Sequence, residues 1–294
     1  MLVKVDGVRL FVDVESSGLV ADGARMREKP VLLLLHGGPG FDHSGFKPDF
    51  ATLGDVAQII YYDHRGNGRS GGDDPAAWNL DQWGEDVKAL CDVLGIAKPI
   101  VCGLSFGGFV AQAYATRYPD HPGKLILMST AAKVDFAAIF EAFGRRGGPE
   151  IRAIAESYWT DPTAEGRARY IERCVPLYRF PAASNEAFGR AILKTDVALH
   201  FNGPAKEHGR MDHRDALSRI SCPVLVMAGE EDPIMPIGFA EEIVRCLPAH
   251  LVHFERIAAC GHVLHADAPD RVFPVLRDFI LATPALSAGA AFSG

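Results

Sequence analysis

Ser105, Asp232 and His262 are the residues whose types and surroundings could do nucleophilic chemistry. Ser105 stands in Gly103-Leu104-Ser105-Phe106-Gly107, where flanking glycines let the backbone turn sharply and lift a hydroxyl above a sheet. A serine is a weak nucleophile until a base takes its proton. His262, in Cys260-Gly261-His262, is the candidate base, and Asp232, after Val224-Leu225-Val226-Met227-Ala228-Gly229, is the carboxylate that would hold the ring in one tautomer. Glu230 and Glu231 are rival acids that would sit nearer the strand end. His265 is a rival base without the glycine turn before it.

Acyl transfer also needs donors aimed at the developing oxyanion, and losing one costs roughly 3 kcal/mol of barrier. The segment His36-Gly37-Gly38-Pro39-Gly40 follows the apolar run Val31 to Leu35 and leaves backbone N–H groups free to point into a site. The Gly38 and Phe106 N–H groups are the expected donors, with Gly37 as neighbour.

The elements that must position these residues are legible as short apolar runs: Val31 to Leu35, Gln58 to Tyr62, Ile100 to Leu104, Lys124 to Met128, Pro223 to Met227 and Leu251 to Phe254. Runs of this kind suit parallel strands covered on both faces. Before them, Val3 to Val5 and Val8 to Val14 alternate around Asp6-Gly7, a type I′ hairpin signature. A helix is expected over Leu80 to Leu94, capped by Asn79, with Gln82 as capping-box partner and Gly95 at its end. Another should run from about Gly107 to Arg117.

From 131 to 215 strand-like runs cease and charges of both signs crowd in, 13 Lys and Arg against 12 Asp and Glu. The expected organisation is a core over 1–130, a helical cap over 131–215, a second core part over 216–282 and a flexible tail over 283–294. Cap aromatics should mostly pack against the core, a few lining a pocket for a small substrate.

The chain has 294 residues, 48% of them hydrophobic, and a net charge of −7. That charge and the lack of any Lys/Arg-rich run argue against a nucleic-acid partner. The opening Met1-Leu2-Val3-Lys4-Val5-Asp6 is too polar for a signal peptide and no stretch is long and apolar enough for a membrane helix, so a cytoplasmic protein is expected. Six scattered cysteines without a C-x-x-C pair read as free thiols, Cys260 as a packed one. Asp63 and Arg65 suggest a buried ion pair. Glu207 to His213 reads as a charged helix face, since it lacks the H-E-x-x-H spacing of a metal site. No metal, and no nucleotide or other cofactor, is expected. The oligomeric state is not legible.

The glycine loop at His36 and the turn Asp63-His64-Arg65-Gly66-Asn67-Gly68-Arg69-Ser70 resemble the proline iminopeptidases and related serine hydrolases of the S33 peptidase family, within the α/β-hydrolase superfamily. The chain order Ser, Asp, His is that superfamily's order. The resemblance implies a mostly parallel eight-stranded sheet with helices on both faces and an inserted helical cap. It also implies a serine hydrolase releasing an N-terminal residue from a small or short-peptide substrate. Carboxylesterase or lactonase action on small acyl substrates is the alternative, and a ligand-binding receptor-like protein a further one. Two motifs depart from the family: Phe106 stands where a tryptophan is frequent, and Ala198-Leu199-His200-Phe201 lacks the amine-binding acid of E-N-H-Y-F. Asp196, Glu207 or Glu172 could substitute for that acid.

Overall fold

Eight strands form one sheet in the order β1-β2-β6-β5-β7-β8-β9-β10. They are β1 (Leu2–Val5), β2 (Val8–Glu15), β5 (Val31–Leu35), β6 (Gln58–Tyr62), β7 (Ile100–Leu104), β8 (Lys124–Met128), β9 (Val224–Gly229) and β10 (Val252–Ile257); β3 (Leu19–Asp22) and β4 (Arg25–Glu28) make a separate hairpin. The computed structural model describes residues 1–183 and 186–282. The tail expected over 283–294 lies outside the described residues.

The first two strands are antiparallel, as is the β2–β6 pairing, and the rest of the sheet is parallel. Asp6 and Gly7 both take positive φ, 43° and 81°, as a type I′ turn requires. Parallel register aligns the strand ends: Leu35 lies opposite both Tyr62 and Gly103, and Gly103 opposite Leu127. The loops after β5, β6, β7 and β8 therefore leave the sheet at one level, along one edge.

Alternation within the strands divides the core in two. Leu33, Leu35 and Val101 face α1 (Leu80–Leu94), α2 (Phe106–Arg117) and, farther along, α9 (Ile237–Cys246). Leu32, Leu34 and Cys102 face α10 (Leu264–Asp267) and α11 (Pro269–Leu281). Between β8 and β9 the described chain contains helices and turns and no strand: α3 (Phe136–Thr160), α4 (Ala164–Arg173), α5 (Glu186–Arg190), α6 (Thr195–Phe201), α7 (Glu207–Arg210) and α8 (Arg214–Leu217). Gly148, with φ 80°, breaks α3 just before Pro149.

Several local expectations need correction. Asn79 does cap α1 by accepting the Gln82 N–H, but the Gln82 side chain bonds Asp86 at 3.1 Å instead of reaching back to close a capping box. Helix α2 begins at Phe106, one residue early. β10 runs on through Glu255 and Arg256 because it is an edge strand whose outer face tolerates charge. The β3–β4 hairpin carries no hydrophobic alternation, being almost wholly exposed, and is invisible to a periodicity search.

Lys124 opens β8 and is buried, yet its Nζ donates to three carbonyls at the end of α11, Phe279, Ile280 and Ala282, at 2.5–2.9 Å. A cation there satisfies orphan carbonyls and complements the helix dipole. Lys124→Met should cost about 2 kcal/mol by stranding those acceptors, seen as a lowered urea midpoint with an unchanged slope.

Candidate active site

Ser105 joins β7 to α2 with φ 55° and ψ −119°, a strained left-handed conformation for a residue with a Cβ. The turn exists because glycines let three backbones meet. A Cβ on Gly103 would lie 2.3 Å from Gly107 O, and one on Gly107 would lie 2.0 Å from Leu35 O. Ser105 N–H donates to Met128 O at 2.9 Å, and Thr130 Oγ1 donates to Ser105 O at 2.8 Å, so β8 also holds the corner.

Asp232 and His262 come together from the loops after β9 and β10. His262 Nδ1 lies 2.7 Å from Asp232 Oδ2, and both residues are buried. The other carboxylate oxygen, Oδ1, accepts the Ile234 and Met235 N–H groups, each at 2.9 Å. An acceptor this well supplied fixes Nδ1 as the protonated nitrogen and leaves Nε2 as the free base. The ring is seated from the helical segment: His262 N–H donates to Tyr178 O at 2.7 Å, and the Tyr178 ring meets it edge-on at 4.9 Å. Of the rival acids, Glu230 is exposed and ion-paired with Arg256, and the Glu231 carbonyl is held by Arg146. The rival base His265 is bonded to Gly45 O at 3.1 Å, away from Asp232.

Gly38 has φ 138°, and neither its N–H nor that of Phe106, the first residue of α2, has a backbone or side-chain partner among the described residues. Gly37 lies beside Ser105: an added Cβ would stand 3.5 Å from Ser105 Cβ. Behind the loop, His64 N–H donates to His36 Nε2 at 3.1 Å while His36 Nδ1–H reaches Gly37 O at 2.7 Å. That pattern admits only the neutral ring, and burial lowers the pKa of both histidines. Asn67, in the 63–70 turn, accepts the Gly40 N–H at 2.6 Å.

The expected Asp63–Arg65 pair does not form. Arg65 makes a two-bond contact with Asp86 of α1, at 2.9 and 2.6 Å, whereas Asp63 accepts from His43 and from the Arg69 N–H. The chain turns directly after Asp63, which sends the two side chains to different neighbours. The 207–213 segment is likewise no charged helix face: Glu207 accepts the Leu80 N–H at 2.8 Å, and His208 is buried among Phe109, Phe136, Trp159 and Phe201. Among the described residues no group of three His, Cys, Asp or Glu could hold a metal ion. All six cysteines are free, and burial pushes the Cys260 thiol up to about 12, far from a reactive thiolate.

Ser105, His262, Gly37 and Gly38 line one cavity of about 140 Å³, walled by aromatics of the helical segment such as Tyr158, Trp159, Tyr170 and Tyr178. No hydrogen bond joins the Ser105 hydroxyl to His262 among the described residues, an arrangement that catalytic pairs adopt before substrate draws them together. Arg167, Asn202 and His208 also line the cavity, and nothing in the motifs marked them. For Arg167 the available signal was spacing: it lies three residues before buried Tyr170 on the inner face of α4.

Replacing Ser105 by glycine should remove the backbone strain. Ser105→Gly is expected to be more stable than Ser105→Ala by about 1 kcal/mol, read as a higher melting temperature; equal stabilities would mean the corner is unstrained.

The chain matches the model of the alpha/beta hydrolase fold over residues 30–269. It is 28% identical over 247 residues to 3-oxoadipate enol-lactonase 2 of Acinetobacter baylyi, covering 82% of this chain and 85% of that one. Its identity to a proline iminopeptidase of Pestalotiopsis fici is 26% over 282 residues, covering 92% and 98%. Among solved structures, a thermophilic esterase from Thermogutta terrifontis superposes with TM-score 0.69 at 28% identity, covering 95% of this chain and 98% of that one. With the family's model spanning most of its length, the chain belongs to the alpha/beta hydrolases.

Proposed function

We propose that this chain is a serine hydrolase cleaving a small ester or lactone through an acyl-enzyme, with residues 131–215 acting as the cap over its site. The observation that carries this reading is the single cavity reached by Ser105, His262 and the glycine loop, with His262 Nδ1 already held by a buried carboxylate.

In this mechanism Ser105 Oγ attacks the carbonyl carbon as its proton passes to His262 Nε2. The Phe106 and Gly38 N–H groups, with Gly37 adjacent, stabilise the oxyanion, the first aided by the positive end of α2. Collapse breaks the acyl–oxygen bond, and the leaving alkoxide takes the proton from His262. Water, deprotonated by the same nitrogen, then attacks the acyl-enzyme and frees the acid and Ser105. Asp232 stays ionised and orients the ring.

Release of an N-terminal residue is the second reading, favoured by the glycine loop and by relatives named proline iminopeptidases. It requires an anion for the substrate's ammonium group. Asp196 and Glu172 are exposed, and Glu207 is engaged with Leu80. Among the described residues, the one carboxylate lining the cavity is Asp42, already bonded to Arg69 at 2.8 Å. We therefore rank ester or lactone cleavage first.

Turnover of p-nitrophenyl acetate and butyrate beside prolyl p-nitroanilide tests both readings. Ester hydrolysis is expected to exceed proline release, to vanish in Ser105→Ala and to fall roughly 10⁴-fold in kcat in Asp232→Asn. Faster proline release would reverse the ranking. Ester turnover surviving Ser105→Ala would end the serine mechanism, and one stoichiometric burst without further turnover would point to a binding protein.

A further inference from the structure

Two arginines are buried to the same degree, each 5% exposed, and they differ in one respect. Arg65 has its carboxylate, Asp86. Arg167 has none among the described residues. Its Nη1 donates to Thr195 Oγ1 at 3.2 Å, its guanidinium lies 5.3 Å from the Phe41 ring centre, and its buried Nη2 has no partner among the described residues. An uncompensated buried cation costs several kcal/mol, and arginine does not escape that cost by losing its proton.

The neighbouring polar groups are also incomplete. Asn202 donates to the Tyr158 hydroxyl at 3.0 Å, and among the described residues neither its amide oxygen nor either ring nitrogen of His208 has a partner. The Tyr158 hydroxyl can either accept from or donate to the amide, so Asn202 can turn its NH₂ toward the cavity. His208 is neutral, since burial lowers its pKa to about 3, and carries one N–H. All three residues line the cavity that holds Ser105 and His262.

We propose that Arg167, with Asn202 and His208, forms a carboxylate-binding subsite, so that the substrate is a short ester or lactone bearing a carboxylate. This rests on the hydrolase reading above and narrows its substrate class. Position supports it. The Phe41 ring neighbours Gly38, where an added Cβ would stand 3.3 Å from its Cδ2, and also lies 5.3 Å from the Arg167 guanidinium. The expected oxyanion donor and the cation are thus both neighbours of one aromatic ring. Charge selects a carboxylate over a phosphate, since one cation beside two neutral donors balances a monoanion and would leave a dianion half compensated in an aromatic cavity.

The test compares mono-p-nitrophenyl esters of glutaric, adipic and pimelic acids with neutral p-nitrophenyl esters of equal chain length. For at least one length, kcat/KM of the wild type should favour the anionic ester by on the order of 100-fold, the worth of a charge-assisted hydrogen bond in a dry site. Arg167→Met should abolish that preference and Arg167→Lys should retain part of it. Hydrolysis of the neutral esters without preference for any anionic one overturns the subsite and leaves the hydrolase reading standing. Where no ester is turned over, calorimetry with monomethyl adipate and inorganic phosphate separates the two. Monomethyl adipate binding to wild type, lost in Arg167→Met, upholds the subsite while the hydrolase reading falls; no binding, or tighter binding of phosphate, overturns the subsite.

Discussion

The close approach of three backbones at the corner between β7 and α2 is the constraint on which the site depends. Gly103, Gly107 and Gly108 are small because their neighbours are Gly107 O, Leu35 O and Thr130 Oγ1, each within 2.4 Å of where a Cβ would stand. Any larger residue would lift α2 from the ends of β5 and β8. With α2 seated there, Phe106 N–H sits at a helix start where no intrahelical carbonyl can reach it, and a Cβ added at Gly37 would touch Ser105. The pairing of Leu35 with Gly103 brings the glycine loop and the nucleophile to the same level. The meeting of Ser105 with the glycine loop is thus inherited from sheet register.

The helical segment between β8 and β9 is tied into the same geometry. Tyr178 supplies the carbonyl that receives the His262 N–H, and Asp267 accepts from both Gly261 N–H, at 2.8 Å, and Phe180 N–H, at 2.9 Å, while pairing with Arg179. On the other side, Lys194 N–H donates to Gly40 O at 3.0 Å. The base loop and the glycine loop are therefore each braced from the segment that walls the cavity. A change in that segment should move His262 and the glycine loop as well as the cavity walls, because they share hydrogen bonds.

The core was legible wherever burial writes a pattern. Four of the apolar runs coincide with their strands residue for residue, and Asn79 and Gly95 end α1 where expected. Ser105 and His262 stood out by their nearby glycines, and all three candidates, Asp232 included, by their place after a strand. What escaped had no local signature. β3 and β4 are exposed on both faces. Arg65 finds Asp86 across a turn, and no periodicity links residue 65 to residue 86. His208 and Arg167 lie among charged neighbours, Glu207 and Arg210 for one, Glu165 and Arg169 for the other, so composition disguised two inward-facing side chains as surface.

Charge placement separates the frame of the site from its cavity. Beneath the loops, Arg65 meets Asp86, Arg69 meets Asp42, and Asp63 is surrounded by donors from His43 and Arg69. These charges are compensated within the chain and serve to hold turns. Burial favours the neutral form of His36 and His64, and His36 Nε2 accepts the His64 N–H, so neither ring places a positive charge behind the glycine loop. Inside the cavity the order reverses: Arg167, Asn202 and His208 present unfilled hydrogen-bonding capacity to an aromatic interior. A fold that pairs the buried charges of its frame, and leaves a buried guanidinium in the cavity without a carboxylate among the described residues, has its recognition chemistry concentrated at that open group.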